Sequence, residues 1–168
     1  GGGVLTHRLA DTVDGDIVEL CPALASVAGE IGRRIATRGG VAVAIDYGDW
    51  HSLGDTLQAL RAHSPDDPFA APGDADLTAH VDFEALALAF REAGAAVSAM
   101  TPQGVFLERL GIAHRAAILA RGLEGEARER HIAAHRRLTH PDEMGQLFKV
   151  MACHPAGTAT PPGLDPVP

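Results

Sequence analysis

The chain has 168 residues, 46% of them apolar, and a formal net charge of −8. That is enough apolar chain for one ordinary domain with its own core, and an acidic balance that argues against a nucleic-acid binder, which neutralises phosphates with a basic patch. No window approaches the roughly 18 uninterrupted apolar residues of a membrane span, and "GGGVLTHRLADT" lacks the charged start and apolar core of a signal peptide. A cytoplasmic chain without membrane insertion is expected. Cys21 and Cys153 are too few and too far apart for a disulfide framework or a Cys-rich zinc site, and read as small buried or half-buried side chains.

In chain order, Ile17 to Leu20 is a short strand candidate closed by Cys21 and Pro22. Leu24, Val27, Ala28, Ile31 and Ile35 then recur at helical spacing, with Arg33, Arg34 and Arg38 where cations suit the helix dipole and Gly39-Gly40 as the stop. "VAVAI", Val41 to Ile45, is a continuous apolar run without alternation, which predicts a strand buried on both faces. It ends in Asp46-Tyr47-Gly48. Ligands in open parallel sheets lie outside the carboxyl ends of strands, although an aspartate there is also an ordinary turn residue. Residues 49 to 82 form a long polar connection, in which Trp50, Leu57, Leu60 and Phe69 predict an ordered loop that packs down. Within it, Leu53 to Arg61 reads as either a short helix or an irregular strand.

Asp82 is predicted to cap a helix running through Phe83, Leu86, Ala87 and Phe90 to Gly94. "AAVSAM", residues 95 to 100, is a second strand candidate. Thr101-Pro102 reads as a cap followed by proline at the first helical position, opening a helix to Gly111. Two more helices are expected over about 113 to 121 and 125 to 138, and another from Pro141. Leu147 to Cys153 is a third strand candidate and ends the folded part. The proline-rich residues 154 to 168 are expected to be extended or disordered. The class is α/β with three or four strands, a sheet small enough that more chain is expected to pair with it. With three leading glycines and no methionine, the chain is expected to be an excerpt of a larger domain.

No glycine fingerprint of the dinucleotide or P-loop kind is present. His131 and His135 share a helix face, but "HIAAH" lacks the glutamate of the zinc-protease motif. It lies in the segment from Arg115 to Arg137, which carries six arginines and three glutamates and reads as a solvated face. His51, His63 and His80, with Asp46 and Asp82, fall in or beside the long loop at spacings that match no metal motif, so no metal is expected. His80 is open between two readings. It is a base poised near neutral pH and oriented by Asp76 or Asp82, or a half-buried side chain in a loop where Asp76 and Thr78 bond the backbone and Asp82 caps the helix. Neither cysteine has a base nearby in sequence, and no serine sits in a nucleophile elbow.

Taken in order, "VELCPAL", "GGVAVAIDYG", "GDTLQALRAH", "PGDADLTAHVDF", "TPQGVFLERLGI" and "MGQLFKVMA" resemble the C-terminal half of the MidA-type family over about residues 17 to 153. These are S-adenosylmethionine-dependent methyltransferases whose mitochondrial members are protein arginine methyltransferases acting in assembly of respiratory complex I. The resemblance implies the C-terminal part of a class I, Rossmann-like methyltransferase fold. In it, Val41 to Ile45 is the fifth strand, residues 95 to 100 the sixth and Leu147 to Ala152 the antiparallel seventh. The first four strands, with the glycine-rich loop and acidic residue that hold the cofactor, are expected upstream, so no cofactor-binding residue is expected in this chain.

Family positions that map here are Asp46, Tyr47 and Gly48, then Gly54, Asp55, Thr56, Leu57 and Gln58, then Asp76, Thr78, His80, Asp82 and Phe83, and later Gln103 and Gly104. Cys21 stands where serine is usual. The resemblance makes Asp46, Tyr47, Gly48, Asp76, Thr78, His80 and Gln103 candidates for substrate binding, and Asp46, His80 and Asp82 the candidates for catalysis. It implies a protein arginine as substrate and leaves oligomerisation open. Thirteen arginines against one lysine suggest a GC-rich genome and a bacterial cytoplasm, or the mitochondrion for an organellar host. The alternative is a non-catalytic fragment or degenerate module that keeps the substrate-facing loop to bind a partner protein.

Overall fold

Helix α1, Leu24–Arg38, forms where the apolar stripe predicts it, and stops as the Gly39 N–H bonds the Ile35 carbonyl at 2.9 Å. The computed structural model to which it belongs describes residue 8 and residues 12–167, so the glycine-rich start lies outside the described residues. After Gly40 the chain enters β1, Ala42–Asp49. This strand runs antiparallel to β8, Phe148–Pro155, with Ala42 opposite Cys153 and Tyr47 opposite Phe148. Its last two residues pair in parallel with β5, Val81–Asp82. On the far side β8 carries β6, Ala95–Val97, and β7, Thr101–Pro102. The order is β5-β1-β8-β6. The three predicted strands from Val41 onward therefore share one sheet, and the last of them is antiparallel, as the resemblance implies, and lies between the other two.

The strands pack unequally. Ala42 and Ala44 of β1, with Met151 and Cys153 of β8, meet α1 and helix α2, Phe83–Glu92, in a core centred on Phe83, Ala87 and Phe90. On the other face Val150 and Ala152 pack against Phe106 and Leu164. Val41, Val43 and Ile45 are about half exposed, so the expectation of a strand buried on both faces is corrected: among the described residues only one face of β1 is covered. The unbroken apolar run records what both faces can bury, not what the described residues supply.

Three expectations change in the connecting segments. Ile17 to Leu20 is not a strand; the Ile17 carbonyl instead accepts the Gly54 N–H at 2.9 Å. The connection from 49 to 82 contains a second sheet of β2, Gln58–Arg61, β3, Ser64–Asp66, and β4, Asp76–Thr78, in the order β3-β2-β4. Its hairpin turns at Ala62 and His63 with φ of 49° and 63°, values favoured in a two-residue hairpin but normally signalled by Asn-Gly. Thr101-Pro102 extends the main sheet as β7 instead of opening a helix, and α3, Gln103–Arg109, follows.

Helices α4, Ile112–Ala120, and α5, Gly125–Thr139, form close to their expected limits and bury no residue fully. At Pro141–Gly145 the expected helix is a kinked turn, because Glu143 leaves helical geometry at φ −122° and ψ −131°. The segment after Cys153 continues β8 to Pro155 and then returns over the sheet. Ala99 N–H bonds the Asp165 carbonyl at 2.8 Å, Ser98 bridges to Pro166 and Leu164 is buried. That segment thus packs against the sheet. No helix of the described residues is long and apolar enough to cross a membrane.

Candidate functional site

The carboxyl end of β1 is shaped by a backbone contact. A Cβ at Gly48 would overlap the Val81 carbonyl, so the glycine of Asp46-Tyr47-Gly48 is what lets β5 close onto β1. This approach carries the "DLTAHVDF" segment to the strand end. The His80 ring lies edge-on to Tyr47 at 5.7 Å between centroids, and Tyr47 is edge-on to Phe148 at 5.5 Å. The His80 N–H bonds Thr56 Oγ1 at 2.9 Å, and Thr56 in turn gives its N–H, at 2.9 Å, and its hydroxyl to the Glu19 carboxylate. Residues far apart in sequence are thus tied into one wall. Asp46 accepts the Tyr47 N–H on Oδ1 at 2.9 Å, and among the described residues no hydrogen bond or ion pair engages its other oxygen, so that oxygen is available.

Asp82 is more fully engaged. Its Oδ1 caps α2 by accepting the Ala85 N–H at 2.8 Å, as local sequence predicts. Its Oδ2 takes the Arg8 guanidinium at 3.1 Å and, at 3.4 Å, the Ser52 N–H. Arg8 also donates to the Ser52 carbonyl at 3.0 Å and contacts His51 Nδ1 at 3.0 Å. His51 Nδ1 stands 2.9 Å from Glu84 as well. A ring nitrogen either donates to Glu84 or accepts from Arg8, so the His51 tautomer selects between them.

The other predicted residues divide. Asp76 and Thr78 sit on β4, paired with Leu60 and Gln58, and extend the wall outward. Gln103 is not part of it: the residue is buried and its Nε2 donates to the Leu138 carbonyl at 2.9 Å. A Cβ at its neighbour Gly104 would overlap the Thr139 carbonyl, so this pair holds α3 against α5. His63 lies in the β2–β3 turn, His51 faces Arg8 and Glu84, and no group of three metal-ligating side chains gathers among the described residues. Sequence reasoning singled out neither Glu19, Arg8 nor Ser52. Glu19 lies inside the quoted "VELCPAL", whereas Arg8 precedes the resembling stretch and Ser52 carries no motif.

Beside the wall is a cavity of about 530 Å³ between the start of α1 and the start of α2. Leu20, Pro22, Leu24, Ala25, Val81 and Ala85 give it apolar sides, and Arg8, Glu19, Cys21, Ser52, His80 and Asp82 its polar ones. Arg8 and Ser52 are 3% and 4% exposed, yet Arg8 Nε and Ser52 Oγ have no hydrogen-bond partner. Cys21 is exposed, which corrects the expectation of a buried or half-buried thiol. S-Adenosylmethionine would need an acidic acceptor for its ribose and backbone N–H groups from a glycine-rich turn. No glycine lines this cavity, and Glu19 and Asp82 are already engaged, so it does not fit that cofactor.

Residues 4–101 match the family described as "Putative S-adenosyl-L-methionine-dependent methyltransferase". The chain is 36% identical over 141 residues to the mitochondrial protein arginine methyltransferase NDUFAF7 of Xenopus laevis, covering 83% of this chain and 32% of that protein. It is likewise 36% identical over 143 residues to the Homo sapiens protein, covering 83% and 32%. It therefore spans about a third of the length of these relatives. Two crystal structures from Burkholderia thailandensis are similar at 29% identity. One, an uncharacterised protein, has a TM-score of 0.80 over 94% of this chain and 44% of its own. The other, described as a "likely methyl transferase" bound to S-adenosyl-homocysteine, has a TM-score of 0.79 over 96% and 43%. By sequence and by fold, the chain belongs to the MidA-type family of S-adenosylmethionine-dependent methyltransferases.

Proposed function

We propose that this chain supplies the substrate-facing wall of a methyltransferase that uses S-adenosylmethionine to methylate arginine side chains of a protein. Its relatives are named protein arginine methyltransferases. The observation that carries the reading is the meeting of Tyr47, Thr56 and His80 at the carboxyl end of β1, where ligands lie in open α/β sheets.

In that role the wall divides its tasks by which groups are still free. An arginine substrate brings a cation, and Asp46 keeps a carboxylate oxygen with which to oppose it. Asp82 spends both oxygens on the α2 cap and Arg8, and so acts as a positioning residue. His80 is exposed; its backbone is held by Thr56 and its ring faces Tyr47, leaving the imidazole to receive the proton that a guanidinium nitrogen must lose. For a bacterial host the same reading places the protein in the cytoplasm.

The test is arginine methylation by the product of the full coding sequence. His80→Ala is expected to lower kcat by about a hundredfold. Asp46→Asn is expected to raise KM for the protein substrate, and both variants should keep the wild-type circular dichroism. Wild-type kinetics in both would remove this wall from the reaction.

A further inference from the structure

His80 sits at a joint between the two sheets. Thr78 ends β4 of the small sheet and Val81 begins β5 of the main one, so the connection from β4 to β5 is Ala79 and His80 alone. Up to Thr78 the backbone is fixed by pairing with Gln58, and from Val81 onward by pairing with Gly48. Between these points the His80 N–H has Thr56 Oγ1 as its acceptor, at 2.9 Å. That hydroxyl carries one proton, and it donates it to the Glu19 carboxylate. A carboxylate can only accept, so the proton must point to Glu19 and the Thr56 lone pairs are left for His80. The Thr56 N–H, bonded to the other Glu19 oxygen at 2.9 Å, keeps the two residues in line. The Gly54 N–H on the Ile17 carbonyl, also at 2.9 Å, ties the same two segments a second time. Among the described residues the half-buried Glu19 has no cation partner and accepts from Thr56 alone. Hydrogen bonds to a carboxylate are roughly twice as strong as neutral ones, which makes Glu19 the anchored end of the chain that reaches His80.

We infer that Glu19 is a positioning residue: through the Thr56 hydroxyl it fixes His80 at the joint between the sheets, with the imidazole against Tyr47. Its consequence for turnover rests on the reading of His80 as proton acceptor given above.

The product of the full coding sequence, carrying isotope-labelled histidine, gives the first readout, with the His80 amide resonance assigned by its loss in His80→Ala. Glu19→Ala and Thr56→Val are each expected to move that resonance upfield and to speed its hydrogen exchange, because the acceptor of the His80 N–H is turned away or lost. Arginine-methylation kinetics give the second. Both variants should lower kcat about tenfold, short of the hundredfold loss expected for His80→Ala, with KM for S-adenosylmethionine unchanged. Thr56→Ser restores the hydroxyl and should recover most of that loss. In a His80→Ala background, Glu19→Ala and Thr56→Val should lower kcat no further, whereas a merely structural defect would lower it in both backgrounds. An unmoved His80 resonance in Glu19→Ala, or a full further loss of kcat in the His80→Ala background, would overturn the inference. The resonance needs no turnover. A moved resonance with wild-type kcat in His80→Ala removes the catalytic reading and leaves Glu19 as the residue that positions His80; an unmoved resonance with a slow His80→Ala removes Glu19 alone.

Discussion

Arg8 and Asp82, 74 positions apart, are joined by an ion pair of 3.1 Å between side chains that are 4% and 16% exposed. Removing one member of a buried pair leaves the other charge uncompensated. Arg8→Ala is therefore expected to cost about 3 kcal/mol in denaturant unfolding, the low end for such a loss because Asp82 keeps some contact with water. Asp82→Asn breaks the pair but keeps an oxygen for the Ala85 N–H, whereas Asp82→Ala should cost about 1 kcal/mol more by losing the α2 cap as well. Equal stability of wild type and Arg8→Ala would show that the pair does not hold the two segments together.

Gly48 is the second structural hinge of the site. Gly48→Ala is expected to destabilise by about 2 kcal/mol or more, since the added methyl meets backbone and not a movable side chain. The amide resonances of Val81 and Asp82 should shift most. A variant of wild-type stability with unshifted β5 resonances would contradict the account of the Asp46-Tyr47-Gly48 turn.

These two positions show what could be read in advance. The α2 cap was legible because Asp82 and the apolar period after it are local signals, and so were α1 and the three sheet strands. The small sheet of β2, β3 and β4 was not, because its turn is Ala62-His63 and its strands carry proline and aspartate. Asp46, Tyr47 and His80 were identified through the family motifs, and the structure explains why the Tyr47 and His80 rings meet: β5 closes on Gly48. Gln103 looked like a site residue because motif order cannot separate a bracing glutamine from a binding one. Arg8 and Ser52 were invisible, since only the fold brings them to Asp82.

The two thiols should behave oppositely. Burial pushes the Cys153 thiol up from its ordinary value, while Cys21 is exposed. Near pH 8, iodoacetamide is expected to modify Cys21 in the native protein and Cys153 only after denaturation, as followed by mass spectrometry. Comparable native rates would contradict the packing of β8.

In the small sheet, the hydrogen bond from Arg61 and then the Asp67 N–H hold the Asp66 carboxyl below its ordinary value. A carboxyl whose folded value is depressed contributes stability above its unfolded value of about 3.9 and loses it as pH falls through the lower folded value. Amide exchange in the β2–β3 hairpin, normalised for intrinsic rates, should therefore accelerate below about pH 4 in wild type. In Asp66→Asn the normalised rate should be higher already and nearly flat with pH. A wild-type hairpin indifferent to acid would contradict this pairing.

The central claim is tested most directly by where a transferred methyl group goes. The product of the full coding sequence would be incubated with tritiated S-adenosylmethionine and protein extract of its host, followed by hydrolysis and amino-acid analysis of the labelled protein. The account predicts label in methylarginine, reduced by His80→Ala. Label confined to methyllysine or carboxyl esters, or none at all from a folded protein, would contradict it.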